Sequence, residues 1–131
     1  ADGVPIWAIP EEIYKDFPRP LSVKKFEFDA NGYPHWQDCG KHAWAEYYFS
    51  DSVAKGFGSL WTNRHGLRDL FVKYWMKVAE TFKGDEFVIA YELINEPWAG
   101  DQYINPLVMV PGLSEVIDMQ HAYDIISAKI R

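Results

Sequence analysis

Asn95-Glu96-Pro97 is the stretch of this chain whose residue types and spacing suit chemistry. Breaking a glycosidic bond takes a proton on the leaving oxygen and a nucleophile or base at the anomeric carbon. Glu96 suits the acid role where its surroundings keep the proton on it. Asn95 suits a hydrogen bond to a sugar 2-hydroxyl, a contact that strengthens in the transition state. The bare tripeptide is a weak signal. It gains specificity from its context, an apolar run before it and an aromatic-rich loop after it.

That context predicts how the pair is held. Phe87-Val88-Ile89-Ala90 leads into Tyr91–Asn95, so residues 87–94 read as a parallel strand buried on both faces. Pro97 cannot donate to a ladder and ends the strand. In a (β/α)-barrel, catalytic residues sit at that C-terminal strand end. Trp98 and Asp101 follow closely and are candidates to line a sugar or lipid site. For Trp98 the choice is open between that role and packing the strand end. Glu92 alternates to the face of Ile94 and Glu96 and is assigned no chemistry.

The flanks carry helix signals. Residues 1–49 are irregular, punctuated by Pro5, Pro10, Pro18, Pro20 and Pro34, with a turn at Asn31-Gly32. Ser50 or Asp51 is the expected cap of a helix from about Ser52 to Trp61. Asn63-Arg64-His65-Gly66 interrupts it. Leu67, Leu70, Phe71, Tyr74, Trp75, Val78 and Phe82 then recur at helical spacing, a stripe expected to pack a barrel. Lys83-Gly84-Asp85 stops that helix. A second loop covers 99–113, and Ser114 is the expected cap of a last helix with Val116, Ile117, His121, Ile125 and Ile126 along one side. Loop, helix, strand, loop, helix amounts to about one and a half βα units of an α/β protein.

Composition excludes several classes. Of 131 residues, 48% are hydrophobic and 17% aromatic, far from a disordered profile. The net charge of -6 argues against nucleic acid, and the Lys24-Lys25 pair is too small to name a partner. No apolar run approaches the ~20 residues of a membrane span. His35, His42, His65 and His121 lack metal-ligand spacing, so no metal and no cofactor are expected. Cys39 is the single cysteine, and no Asn-x-Ser/Thr site is present. A whole (β/α)₈ barrel takes about 250 residues. The chain begins at Ala1 and stops at Arg131 within an apolar-periodic helix, so it reads as an internal piece: one partial catalytic domain over 1–131 with no second domain.

The chain resembles glycoside hydrolase family 5, and within it the endoglycoceramidases, which cleave glycosphingolipids between oligosaccharide and ceramide. The strings that carry the resemblance run in order along the chain: Asp2-Gly3-Val4-Pro5-Ile6-Trp7-Ala8, Trp44-Ala45-Glu46-Tyr47-Tyr48-Phe49-Ser50, Val88 through Asp101, and Pro111-Gly112. The resemblance implies a (β/α)₈ TIM barrel. This chain would supply the long loop after the third strand, the third helix, the fourth strand and the start of the fourth helix. It further implies a retaining hydrolase with Glu96 as acid/base, Asn95, Trp98 and Asp101 on the substrate, and the glutamate nucleophile outside this chain. A glycolipid or oligosaccharide substrate, peripheral contact with a lipid surface, and a secreted or lumenal location follow from the same resemblance. So does a disulfide between Cys39 and a cysteine just upstream of Ala1. Two other readings stay open: a cellulase-type β-glycanase, and a catalytically dead homologue that binds sugar or lipid. The piece alone is expected to be inactive and unstable, since strand 87–94 needs neighbours on both sides.

Overall fold

The structure, a computed structural model, describes residues 10–22 and 24–131. The Asp2–Ala8 string lies outside the described residues. Among the described residues there are five α-helices: α1 (Glu11–Tyr14), α2 (Trp36–Cys39), α3 (Asp51–Trp61), α4 (Leu67–Thr81) and α5 (Gln120–Ile130). Between α1 and α2 the chain makes the expected turn. Gly32 takes a left-handed φ of 80°, and the Asp29 carboxylate accepts the amides of Asn31 (2.8 Å) and Tyr33 (2.9 Å). A single antiparallel bridge, Phe28 to Pro34, closes it.

The long helices form where their caps dictate. Ser50 caps α3: its Oγ accepts the Val53 amide at 3.3 Å and its hydroxyl donates to the Tyr47 carbonyl at 2.7 Å. After Trp61 the backbone turns left-handed at Asn63, His65 and Gly66, which ends one helix and starts the next. Asn63 then steadies the start of α4, its Oδ1 accepting the Asp69 amide (3.1 Å) and its Nδ2 donating to the Asp69 carboxylate (3.0 Å). Gly84, at φ 84°, closes the turn beyond α4.

The core sits where α3 meets the segment around Trp98 and the start of α5. Tyr48, Phe57, Leu60, Trp61, Leu67, Met119 and Ala122 are buried together, with Val53, Phe71, Ile94, Trp98 and Tyr123 packed against them. Phe57 and Trp61 supply the largest buried side chains of α3.

Four expectations need correcting. Among the described residues no strand forms at 87–94 or elsewhere, and what is described is helix-rich. A parallel strand exists only through neighbours that accept its hydrogen bonds, and none of the described residues offers a ladder. Ser114 does not cap the last helix: its backbone is already helical, its hydroxyl bonds the Glu115 carboxylate, and Glu115–Met119 winds as a π-helical turn into α5. That wider turn shifts the buried side to Met119, Ala122 and Ile126, leaving Val116 and His121 exposed. The α4 stripe is only partly packed: Leu67 is buried and Phe71, Trp75 and Val78 are half-buried, whereas Leu70, Tyr74 and Phe82 face outward, and Val72, outside the stripe, is buried instead.

Candidate active site

Asn95 and Glu96 lie in the extended stretch that follows α4, and both are exposed. Glu96 has a left-handed backbone at φ 39°, a conformation that costs a residue with a Cβ on the order of 1–3 kcal/mol when the surroundings impose it. Glu96 and Asn95 make no side-chain hydrogen bond to another described residue. Both polar groups are thus free for a ligand.

Indole groups hold the backbone on either side of this pair. On the N-terminal side, Trp75 of α4 donates its Nε1–H to the Leu93 carbonyl at 3.2 Å, and its ring packs on Tyr91 at 5.8 Å. On the C-terminal side, Trp61 of α3 donates its Nε1–H to the Trp98 carbonyl at 3.0 Å. The two tryptophans thus tie the stretch that carries Asn95 and Glu96 to α3 and α4.

Trp98 is half-buried. Its ring meets Phe49 edge-on at 5.0 Å and Tyr48 at 5.5 Å, and Tyr48 in turn meets Trp44 at 5.4 Å. This makes a continuous aromatic wall from Trp98 to the exposed Trp44. The 44–49 string therefore divides: Tyr48 is core, whereas Trp44 and Phe49 are exposed, and Trp36 is 77% exposed. For Trp36, Trp44 and Phe49 the general tendency of aromatics to pack inside does not hold. Trp98 also donates its indole N–H to the Gln102 side-chain oxygen at 2.9 Å, a partner that sequence reasoning missed. Spacing of four in a loop carries no signal for such a bond.

Asp101 is half-buried in the loop beyond. Its Oδ1 accepts the amides of Tyr103 (3.1 Å) and Ile104 (3.2 Å), shaping the turn that lets the Tyr103 hydroxyl donate to the Phe49 carbonyl. Burial pushes the Tyr103 phenol up from its ordinary range. Gly100 precedes it, buried, at φ 131°, where an added Cβ would lie 3.4 Å from the Asp118 carboxylate and 3.6 Å from Trp61. Gly58 of α3 lets Asp101 approach, with 3.1 Å between an added Cβ and the Asp101 Cβ. The loop is therefore seated on α3 through glycines on both sides.

Cys39 is a free thiol among the described residues, and its carbonyl accepts the Tyr47 hydroxyl at 2.7 Å. No group of three or more His, Cys, Asp or Glu among the described residues is disposed to hold a metal ion. No helix among them is long and apolar enough to cross a membrane.

No family model matches the chain, and no solved structure matches it. Curated relatives do. The chain is 40% identical over 131 residues to an endoglycoceramidase from Hydra vulgaris, covering 99% of this chain and 25% of the relative. It is 42% identical over 130 residues to an endoglycoceramidase from Cyanea nozakii, covering 26% of it. It is 30% identical over 82 residues to endoglycoceramidase I from Rhodococcus hoagii (strain 103S). The chain spans about a quarter of the length of the two longer matches. Along essentially all of its 131 residues, then, this chain is endoglycoceramidase-like.

Proposed function

We propose that the whole protein is a retaining glycoside hydrolase of family 5 that cleaves glycosphingolipids between oligosaccharide and ceramide. Glu96 is its acid/base and Asn95 the holder of a sugar hydroxyl. In the first step Glu96 gives its proton to the glycosidic oxygen as the bond to the anomeric carbon breaks. That oxygen keeps the electron pair and leaves as the ceramide hydroxyl. A carboxylate supplied from outside these residues bonds the anomeric carbon, and Glu96 then takes a proton from the water that releases the sugar. Trp98 offers the exposed part of its ring, and Asp101 its second oxygen, to the sugar or the lipid.

The observation that carries this reading is the match to endoglycoceramidases along 99% of the chain, with Asn95-Glu96 exposed inside it. The (β/α)₈ barrel belongs to the same reading: residues 87–94 become its fourth strand once neighbouring strands flank them. A secreted or lumenal location, contact with a lipid surface through exposed aromatics, and pairing of Cys39 with an upstream cysteine complete it. The test is the full-length protein offered a glycosphingolipid and a soluble β-glucan in parallel. Release of intact oligosaccharide and ceramide is the expected result. Cleavage of the glucan alone supports a cellulase-type glycanase, and binding without cleavage supports a dead homologue.

A further inference from the structure

The chain between Glu96 and Trp98 has little freedom. Peptide planarity and the pyrrolidine ring of Pro97 leave only the two ψ angles of Glu96 and Pro97 soft between the α-carbons of Glu96 and Trp98. Whatever fixes Trp98 therefore limits how far the backbone of Glu96, from which the carboxyl projects at a left-handed φ of 39°, can shift. Trp98 is fixed at both its backbone and its ring. Its carbonyl accepts the Trp61 indole N–H at 3.0 Å, and its own indole N–H reaches Gln102 Oε1 at 2.9 Å. Phe49 and Tyr48 flank the ring. Phe49 meets the ring edge-on at 76° and Tyr48 at a tilt of 42°, and the Gln102 bond is the polar contact that ties the indole edge to the loop beyond.

We infer that Gln102 is a positioning residue for the proposed acid/base. Its side-chain oxygen orients the Trp98 ring, and through Trp98 and Pro97 it holds Glu96 in the conformation that aims the proton at the leaving oxygen. The inference rests on the hydrolase reading above and assigns a part to a residue outside the Asn95-Glu96 motif.

The experiment uses the full-length protein with Gln102→Met, which keeps length and loses the acceptor, Gln102→Glu, which keeps an acceptor, and Trp98→Phe, which keeps a smaller aromatic ring and loses the donor. Two substrates separate acid catalysis from everything else. One is a glycosphingolipid, whose alkoxide leaving group needs the proton. The other is an aryl β-glycoside with a dinitrophenolate leaving group, which departs without it. Misplacement of a catalytic group by about 1 Å costs on the order of 100-fold. Gln102→Met is expected to lower kcat/KM on the glycolipid by about 10- to 100-fold and on the aryl glycoside by less than about twofold, with Gln102→Glu recovering most of the loss. Added to Trp98→Phe, Gln102→Met should lower the glycolipid kcat/KM little further, since the bond it would remove is already gone. A fall on both substrates alike, no fall on either, or independent effects in the double variant overturns the inference. If the unaltered protein cleaves neither substrate, the hydrolase reading itself fails and takes the inference with it.

Discussion

Helix α3 and the stretch 87–97 are both rich in apolar residues, yet one is a finished element and the other is not. Every interior amide of α3 finds its carbonyl four residues back, its start is capped by Ser50, and Phe57 and Trp61 are almost wholly buried. In the second region Phe87 is 86% exposed and Ile89 is 97% exposed. Among the described residues no amide from Ile89 to Leu93 donates a hydrogen bond. A helix satisfies its own backbone, whereas a strand must borrow partners from elsewhere in the fold. The lesson concerns where the proposed chemistry is placed. Asn95 and Glu96 sit on the region that needs outside support, and the support visible here comes from tryptophans of the self-sufficient helices.

The largest expected effect lies at the tip of the dependent region. Glu96→Gln in the full-length protein keeps shape but removes the transferable proton, a loss typically worth about 10²–10⁴-fold. Turnover of a glycolipid near that of the unaltered protein would remove Glu96 from the acid/base role. On the proposed reading, in which Asn95 holds a sugar hydroxyl more tightly in the transition state than in the ground state, Asn95→Ala should lower kcat/KM rather than stability alone. An unchanged kcat/KM would leave Asn95 a purely structural part.

The next pair addresses the contrast itself. Phe57→Ala in α3 should cost about 3–5 kcal/mol in chemical denaturation of the full-length protein. Ile89→Ala discriminates between two outcomes. If neighbouring strands cover residues 87–94 in the full protein, the truncation costs about 2–5 kcal/mol. If the face seen here stays open, the change falls within roughly ±0.5 kcal/mol, as surface substitutions do, and the barrel reading loses its main support.

How much of this was legible follows the same division. The bounds of α3, the break at Asn63–Gly66 and the stop at Gly84 were readable because caps and left-handed residues act within a few positions of themselves. Residues 87–94 were readable as a pattern of apolar residues but not as an element, since a strand needs a paired neighbour and none of the described residues supplies one. The Trp61–Trp98 bond joins residues 37 apart, and no local signal marks it. The left-handed turn at Glu96 was equally hidden, since the usual marker of that conformation is glycine or asparagine, and neither occupies the position. Across the π turn before α5, helical spacing picked out Ile126, which is buried, but also Val116, Ile117 and His121, which are exposed.

A smaller effect is expected where the two regions touch. Gly100→Ala puts a Cβ into a left-handed position, 3.4 Å from the Asp118 carboxylate, and should destabilise by about 1–3 kcal/mol. A thermal midpoint equal to that of the unaltered protein would mean that the loop is not seated on α3 as described. The smallest effect is a pH dependence at Asp118, whose carboxyl is pushed up from its ordinary range by burial. Its folded pKa lies above the unfolded one, so the folded state binds the extra proton. Stability is therefore greatest below the unfolded pKa and is lost as pH rises through the folded one. Asp118→Asn should remove that loss, giving a higher midpoint than the unaltered protein at neutral pH and none of the advantage in acid. Parallel midpoint-against-pH curves for the two proteins would discard the effect.

The left-handed backbone at Glu96 also bears on what selection would do to this chain. Judged by conformational preference alone, position 96 should hold glycine or asparagine, and glutamate is a poor occupant. A library screened for heat resistance without regard to turnover should therefore drift at this position, enriching Glu96→Gly and Glu96→Asn as resistance rises and hydrolysis disappears. Robustness and activity would trade against each other at a single residue.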